Sequence, residues 1–280
     1  MLEAEHITES GADQVDAGPS IVSPVNRSTR RAQKRATVSR SVRLLNHFRY
    51  EQPDPDRFYG ALADDSVELI EALHLDVSGT DLRGLTVLDV GGGPGYFAEV
   101  FRARGADYVS VEPDPTEMHA AGLPQRASVR GSGMALPIAD AAVDICYSSN
   151  VAEHVRDPWT MAQEMLRVTR PGGLVLLSYT LWYGPFGGHE MGLTHYAGGA
   201  RAARWYTSKH GHSPKNLYGT SLFKVTAADG LRWADSVPAG EATLLRAFPR
   251  YLPGRLWWIM RVPLVREVLG SNLVLLLRKN

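Results

Sequence analysis

Apolar and polar positions alternate on two scales along the middle of the chain. Thr86–Val90, Tyr108–Val111, Val143–Tyr147 and Gly173–Tyr179 are short, apolar-rich runs with the length of buried strands. Between them, residues 96–104 and Trp159–Val168 carry the wider spacing of amphipathic helices, the first ending at Gly105. Upstream, Asp65–Leu75 predicts a helix with Val67, Ile70, Ala72 and Leu73 on its apolar side. Downstream, Leu222–Leu231 opens on an apolar run and turns helical near Ala227, while Glu241–Phe248 and Asn272–Arg278 predict two further strands. Strands alternating with helices at this spacing predict an α/β fold, a mainly parallel, twisted sheet covered on both faces. No apolar run approaches the roughly 18 residues of a membrane span.

Candidate chemistry sits where such sheets bind ligands, beyond the carboxyl ends of the strands. The first strand runs directly into Gly91-Gly92-Gly93-Pro94-Gly95, and a helix follows. A strand, a glycine turn and a helix in that order allow a ligand to lie against bare backbone. Glu112 closes the second strand, 21 residues after Gly91, where a carboxylate accepts hydrogen bonds from both hydroxyls of a ribose. The predicted sheet gathers Gly91–Gly95, Glu112, Ser132–Met134 and Ser149–Asn150 around one crevice. Cys146, the single cysteine, lies inside a strand and reads as a small core residue.

These residues carry a resemblance to the class I S-adenosylmethionine-dependent methyltransferases, small-molecule subgroup. Val87–Gly95 resembles the first motif of that family, Glu112 its ribose-binding acid, Gly131–Pro137 its adenine loop and Asp144 the acid of its fourth strand. Asn150–Val155 and Arg167–Gly173 are similar to the segments that follow, so the resemblance spans roughly residues 85–180. It implies a Rossmann-like seven-stranded sheet with the last strand antiparallel, and S-adenosylmethionine as cofactor. It also implies that Gly91, Gly93 and Gly95 hold the methionyl end with Asp89 nearby, Glu112 and Pro113 the ribose, and Ser132, Gly133 and Met134 the adenine. Ser149 and Asn150 would border the same ligand. Ser132 departs from the family, which often places an acid there. A dinucleotide dehydrogenase would need a second mononucleotide half, and the Asn150–His154 and Arg170–Gly173 segments fit the methyltransferase pattern instead.

Residues 181–219 form a long insertion rich in aromatic, glycine and histidine residues, which reads as a substrate lid. Residues 200–210 read as a short helix within it. Methyl transfer to oxygen benefits from a base near neutral pKa. His189 and His195 are the leading candidates, Glu190 their orienting partner and His154 the next choice. His189-Glu190 with His195 does not match the HExxH of zinc peptidases, because Leu193 stands where the second histidine would be, so no metal is expected. The aromatic lid favours a largely apolar or aromatic acceptor, methylated at a hydroxyl, as in natural-product biosynthesis.

Charge alters this picture at the ends of the chain. The 30 basic and 30 acidic side chains of the 280 residues cancel. Residues 27–43 nevertheless carry seven basic side chains and no acid, and residues 246–280 carry seven offset only by Glu267. Residues 1–40 read as a disordered basic tail, and 41–280 as one methyltransferase domain with an N-terminal helical arm. The basic arm keeps an RNA methyltransferase in view, although zero net charge weighs against a nucleic-acid partner. A non-catalytic relative that binds the cofactor is the other alternative. Leu252–Leu269 reads as an amphipathic helix on the core with arginines reaching to water, and leaves open a dimer contact or a weak peripheral membrane contact. One cysteine and no basic, apolar leader at Met1–His6 fit a cytoplasmic setting.

Overall fold

The computed structural model describes residues 29–50, 53–120 and 127–280. The chain opens with α1 (Arg30–Arg35), α2 (Val38–His47) and α3 (Pro55–Val77). It continues through β1 (Thr86–Val90), α4 (Ala98–Ala103), β2 (Asp107–Glu112), α5 (Pro115–His119), β3 (Ser128–Arg130) and β4 (Val143–Ser149). Then come α6 (Pro158–Val168), β5 (Thr169–Thr180), α7 (Gly199–His210), α8 (Ala227–Ser236), β6 (Ala242–Pro249), α9 (Val265–Leu269) and β7 (Asn272–Lys279). The seven strands form one sheet in the order β3-β2-β1-β4-β5-β7-β6. Pairing is parallel from β3 to β5, and β7 runs antiparallel to both β5 and β6. The expected fold class therefore holds.

Alternation along the strands divides the core between the two faces. Leu88 and Val90 of β1 and Leu273, Leu275 and Leu277 of β7 pack with Met161, Met165 and Leu166 of α6 and Leu231 of α8. Val87, Val274 and Leu276 point the other way, onto Val67, Ile70 and Leu73 of α3 and Phe101 of α4. Helix starts follow local sequence signals. Asp54 before Pro55 accepts from Arg57 N, and Asp157 before Pro158 accepts from Thr160 N. Thr226 and Asp229 close a reciprocal capping box on α8.

Four features differ from the sequence reading. Residues 29–40 are not a disordered tail: α1 and the start of α2 pack on the core, with Thr29, Ala32 and Ala36 buried. Their charges find acids remote in sequence, Arg31 pairing with Asp76, Arg35 with Glu68 and Arg40 with Asp65. Residues 1–28, the rest of the expected tail, lie outside the described residues. The Asp65–Leu75 helix begins ten residues earlier, at the Asp54-Pro55 cap. Arg170–Gly173, whose Pro-Gly-Gly composition reads as a turn between helix and strand, belongs to β5 as an irregularity, the register with β4 jumping from Val143↔Thr169 to Ile145↔Leu174. Leu252–Leu269 is a 3₁₀ segment (Gly254–Arg261) followed by the short α9, interrupted at Pro263 and Leu264. There Arg266 is buried, while Trp258 is 55% exposed. Glu267 explains part of this arrangement, because its carboxylate accepts from Ala227 N and Ala228 N (2.8 Å each) and so caps α8 from a distance. The short β3 had no apolar pattern to announce it; two of its three residues are exposed.

A buried charge cluster joins the arm to the carboxyl ends of the strands. Arg40 grips Asp65 with two bonds of 2.6 Å and donates to Arg250 O at 3.0 Å. Arg250 then donates to Ser66 Oγ (2.5 Å) and Ser149 Oγ (2.6 Å). No helix among the described residues is long and apolar enough to cross a membrane.

Candidate active site

The glycine turn is shaped by backbone conformations that L side chains rarely adopt. Gly91, Gly93 and Gly95 have φ of 83°, 50° and 88°. A Cβ on Gly91 would collide with the Val151 methyl groups, whereas at Gly93 it would meet nothing within 4 Å. One glycine thus permits close packing below, and the other faces open space above. Beneath the turn, Asp89 is 3% exposed and its Oδ2 accepts from Tyr108 OH (2.7 Å) and Tyr147 OH (2.6 Å). Burial pushes the Asp89 carboxyl up to about 6; the two phenols oppose the shift and the charge of Glu112 adds to it.

Glu112 links the turn to the second strand. Its carboxylate accepts from Gly93 N (3.2 Å) and Asp114 N (3.1 Å). Burial raises its pKa, against the pull of those two backbone bonds. Exposed Pro113 follows. Gly131 N donates to Glu112 O (3.2 Å), which brings the next loop to the same rim. In that loop Ser132 Oγ accepts from Met134 N (3.2 Å), a Cβ on Gly133 would press on Met161, and Met134 is 40% exposed. Ser149 and Asn150 stand at the end of β4, but their side chains fasten the C-terminal strands. Ser149 accepts from Arg250, and Asn150 Oδ1 accepts from Asn272 Nδ2 (2.8 Å).

Residues 181–219, the expected lid, fold around a small core of their own, with Trp182, Met191, Ala202, Ala203 and Leu222 buried together. His195 belongs to that core. It is 1% exposed, packs against Trp182 and Tyr196, and donates Nδ1–H to Gly192 O (2.7 Å). Glu190 orients no histidine; it accepts from Asn216 N and Nδ2 (3.1 Å each) and ties the lid's two ends together. His195 Nε2 is also buried without a hydrogen-bond partner, within the aromatic packing of Trp182 and Tyr196.

His154 and His189 do meet, their rings 4.9 Å apart. His154 lies on a 3₁₀ turn (Ala152–His154) and donates Nδ1–H to Ser221 O (2.7 Å). His189 adopts φ of 47°, its Nε2 is buried without a partner, and burial lowers its pKa. The third member, Glu153, was not singled out from the sequence. It is 1% exposed; Oε1 accepts from Thr180 N (3.1 Å) and Oε2 has no partner. Its only sequence signal is a charge among apolar residues in Val151-Ala152-Glu153-His154-Val155.

Aromatic side chains from distant segments meet in two groups. Phe48 stacks on Phe186 of the lid (4.9 Å) and meets Tyr251 edge-on (5.6 Å). Tyr96, next to the glycine turn, stacks on Tyr59 of α3 (5.2 Å). None of these contacts is visible as a local pattern.

Comparison with known proteins agrees with this geometry. Residues 88–177 match the family model described as a methyltransferase domain. The chain is 64% identical over 252 residues to an uncharacterised methyltransferase of Mycobacteroides abscessus, covering 88% of this chain and 96% of that one. A counterpart from Mycolicibacterium gilvum is 65% identical over 249 residues, covering 87% and 96%. A solved S-adenosylmethionine-dependent methyltransferase from Mesorhizobium loti aligns at a TM-score of 0.48 and 16% identity, over 70% of this chain and 92% of that one. With its glycine turn, strand-end acid and β3-β2-β1-β4-β5-β7-β6 sheet, the chain belongs to the class I S-adenosylmethionine-dependent methyltransferases.

Proposed function

We propose that the chain methylates a small, largely apolar or aromatic acceptor at a hydroxyl group. The observation that carries this reading is the Glu153–His154–His189 cluster, where the 181–219 segment meets the carboxyl end of the sheet, with its buried and unpartnered Glu153 Oε2 and His189 Nε2. The aromatic group of Phe48, Phe186 and Tyr251 supports an acceptor with an apolar body.

The residues present fit S-adenosylmethionine. Gly93 leaves open the volume that a Cβ would fill, and Glu112 retains acceptor lone pairs beside it. When bound, the cofactor supplies a methyl group already activated on a sulfonium. Gly91 and Gly93 would offer backbone to its methionyl end, Asp89 negative charge beneath the turn, Glu112 acceptors for the ribose hydroxyls, and Ser132 to Met134 a backbone edge for the adenine. The lid excludes water from the crevice. His189, kept neutral by burial, and His154 hold and deprotonate the acceptor hydroxyl.

The paired arginines of the arm do not favour RNA. Arg31, Arg35 and Arg40 already face carboxylates.

Calorimetry with S-adenosylmethionine and its demethylated product, followed by a labelled-methyl assay against hydroxylated aromatic and polyketide-like compounds, tests the reading. Binding with transfer to hydroxyls is expected. Binding without transfer to any acceptor would identify a non-catalytic relative, and transfer confined to RNA would overturn the small-molecule assignment.

A further inference from the structure

The Glu153–His154–His189 cluster has features that a proton-handling site does not require. One ring nitrogen or carboxylate oxygen from each residue lies within 4.8 Å of the others. Glu153 Oε2 and His189 Nε2 are both buried and unpartnered. A buried polar atom without a partner is destabilising, and here two such atoms sit in one small group. A cation among them would satisfy both.

The remaining atoms of the cluster are held as ligands of a metal are usually held. His154 donates its Nδ1–H to a backbone carbonyl, Ser221 O, which leaves the lone pair on Nε2. Glu153 Oε1 accepts from Thr180 N, and Phe223 N donates to Glu153 O at 2.8 Å, so both carboxylate and backbone are fixed. His189 arrives from the lid on a strained backbone, φ 47°. Tetrahedral ligands about 2.1 Å from an ion stand about 3.4 Å apart, so the 4.8 Å limit leaves an inward adjustment on the order of 1 Å.

We propose that Glu153, His154 and His189 bind one divalent first-row transition-metal ion of the Zn²⁺ and Co²⁺ class. Two imidazoles and one carboxylate suit such an ion better than Mg²⁺ or Ca²⁺, which prefer all-oxygen sites. Three protein ligands leave a position for an oxygen of the acceptor. This deepens the functional reading, on which only the role of the ion rests: in the loaded protein the imidazoles are ligands, the ion lowers the pKa of the acceptor hydroxyl, and the proton passes to solvent rather than to a histidine. It also ties the lid to the sheet, since His154 and His189 lie on opposite sides of β5 in sequence.

The test is titration of the full chain, untagged and stripped with a chelator, with Co²⁺ followed by visible absorbance and with Zn²⁺ followed by calorimetry. One ion per chain and the intense bands of low-coordinate Co²⁺ are expected. Glu153→Gln and His189→Asn should each weaken binding on the order of 100-fold while S-adenosylmethionine affinity stays unchanged. His189→Asn, in the lid, keeps the test valid if the buried Glu153→Gln variant fails to fold. The exposed pair His210 and His212 is the control, and changing both to Asn should alter nothing. A Co²⁺ spectrum typical of the hydrated ion, or binding abolished by the His210/His212 change, would overturn the inference. Neither result would touch cofactor binding, so failure here is distinguishable from failure of the methyltransferase reading.

Discussion

The two sides of the crevice are built on different principles. The glycine-turn side comes from neighbouring segments, Asp89 to Gly95, Glu112 to Asp114 and Gly131 to Met134, and relies on backbone groups and bare glycine surfaces. The opposite side assembles Phe48, Glu153, His154, Phe186, His189 and Tyr251 from four parts of the chain, through side-chain contacts. A site made of backbone must be written into consecutive residues, because turn and strand-end geometry are local. A site made of side chains is free to draw them from anywhere that the fold brings together. That freedom is why acceptor choice varies on a shared cofactor scaffold.

The sharpest way to break this comparison is to cut the junction beneath both sides. Asp65→Ala leaves Arg40 and Arg250 buried without their carboxylate and should cost about 3–5 kcal/mol, read as a lower urea midpoint. Next come two glycines, one on each side. Gly91→Ala forces a side chain into φ of 83° and against Val151, and should abolish S-adenosylmethionine binding with a loss of about 2–3 kcal/mol in stability. Gly187→Ala drives a Cβ into the Trp182 carbonyl and should disturb the lid while cofactor affinity, measured by calorimetry, stays within about twofold. Equal loss of cofactor binding in both would show that the two sides are not independent.

Glu112→Gln should reduce cofactor affinity by about 10- to 100-fold, the worth of a hydrogen bond to a charged group, with no change in lid protection by hydrogen exchange. The smallest effect concerns protons. With the Asp89 carboxyl near 6, cofactor affinity should fall about fivefold to tenfold from pH 7 to pH 5, as the charge facing a cationic ligand is lost. The Asp89→Asn variant should flatten that slope. The sign for stability is opposite: a carboxyl raised from 3.8 binds its proton more tightly in the folded state. Its contribution is therefore greatest below about pH 4 and declines as pH rises through about 6. Urea midpoints of the free protein across that range would check it.

The strands, most helices and the glycine turn were legible because each has a local cause. Asp54-Pro55 and Asp157-Pro158 announce helix starts, and the alternation of β1 and β7 announces two covered faces. The arm was misread because Arg31, Arg35 and Arg40 find their acids 25 to 45 residues away, and a basic run without nearby acids has the composition of a tail. Leu252–Leu269 was misread because periodicity does not register a backbone break at Leu264 or the buried role of Arg266. Among the histidines, spacing could not separate His195, enclosed in the lid core, from His189, which meets His154.

The sequence alone determined an α/β sheet, its glycine turn and the acid at the end of the second strand, because hydrogen-bonded strands, turns and caps depend on residues a few positions apart. Only the tertiary structure decided which charges are neutralised, which aromatic side chains meet and that Glu153 joins two histidines. Those outcomes depend on desolvation and contact between segments up to about two hundred residues apart, as Arg40 to Arg250 shows, and no local pattern encodes them.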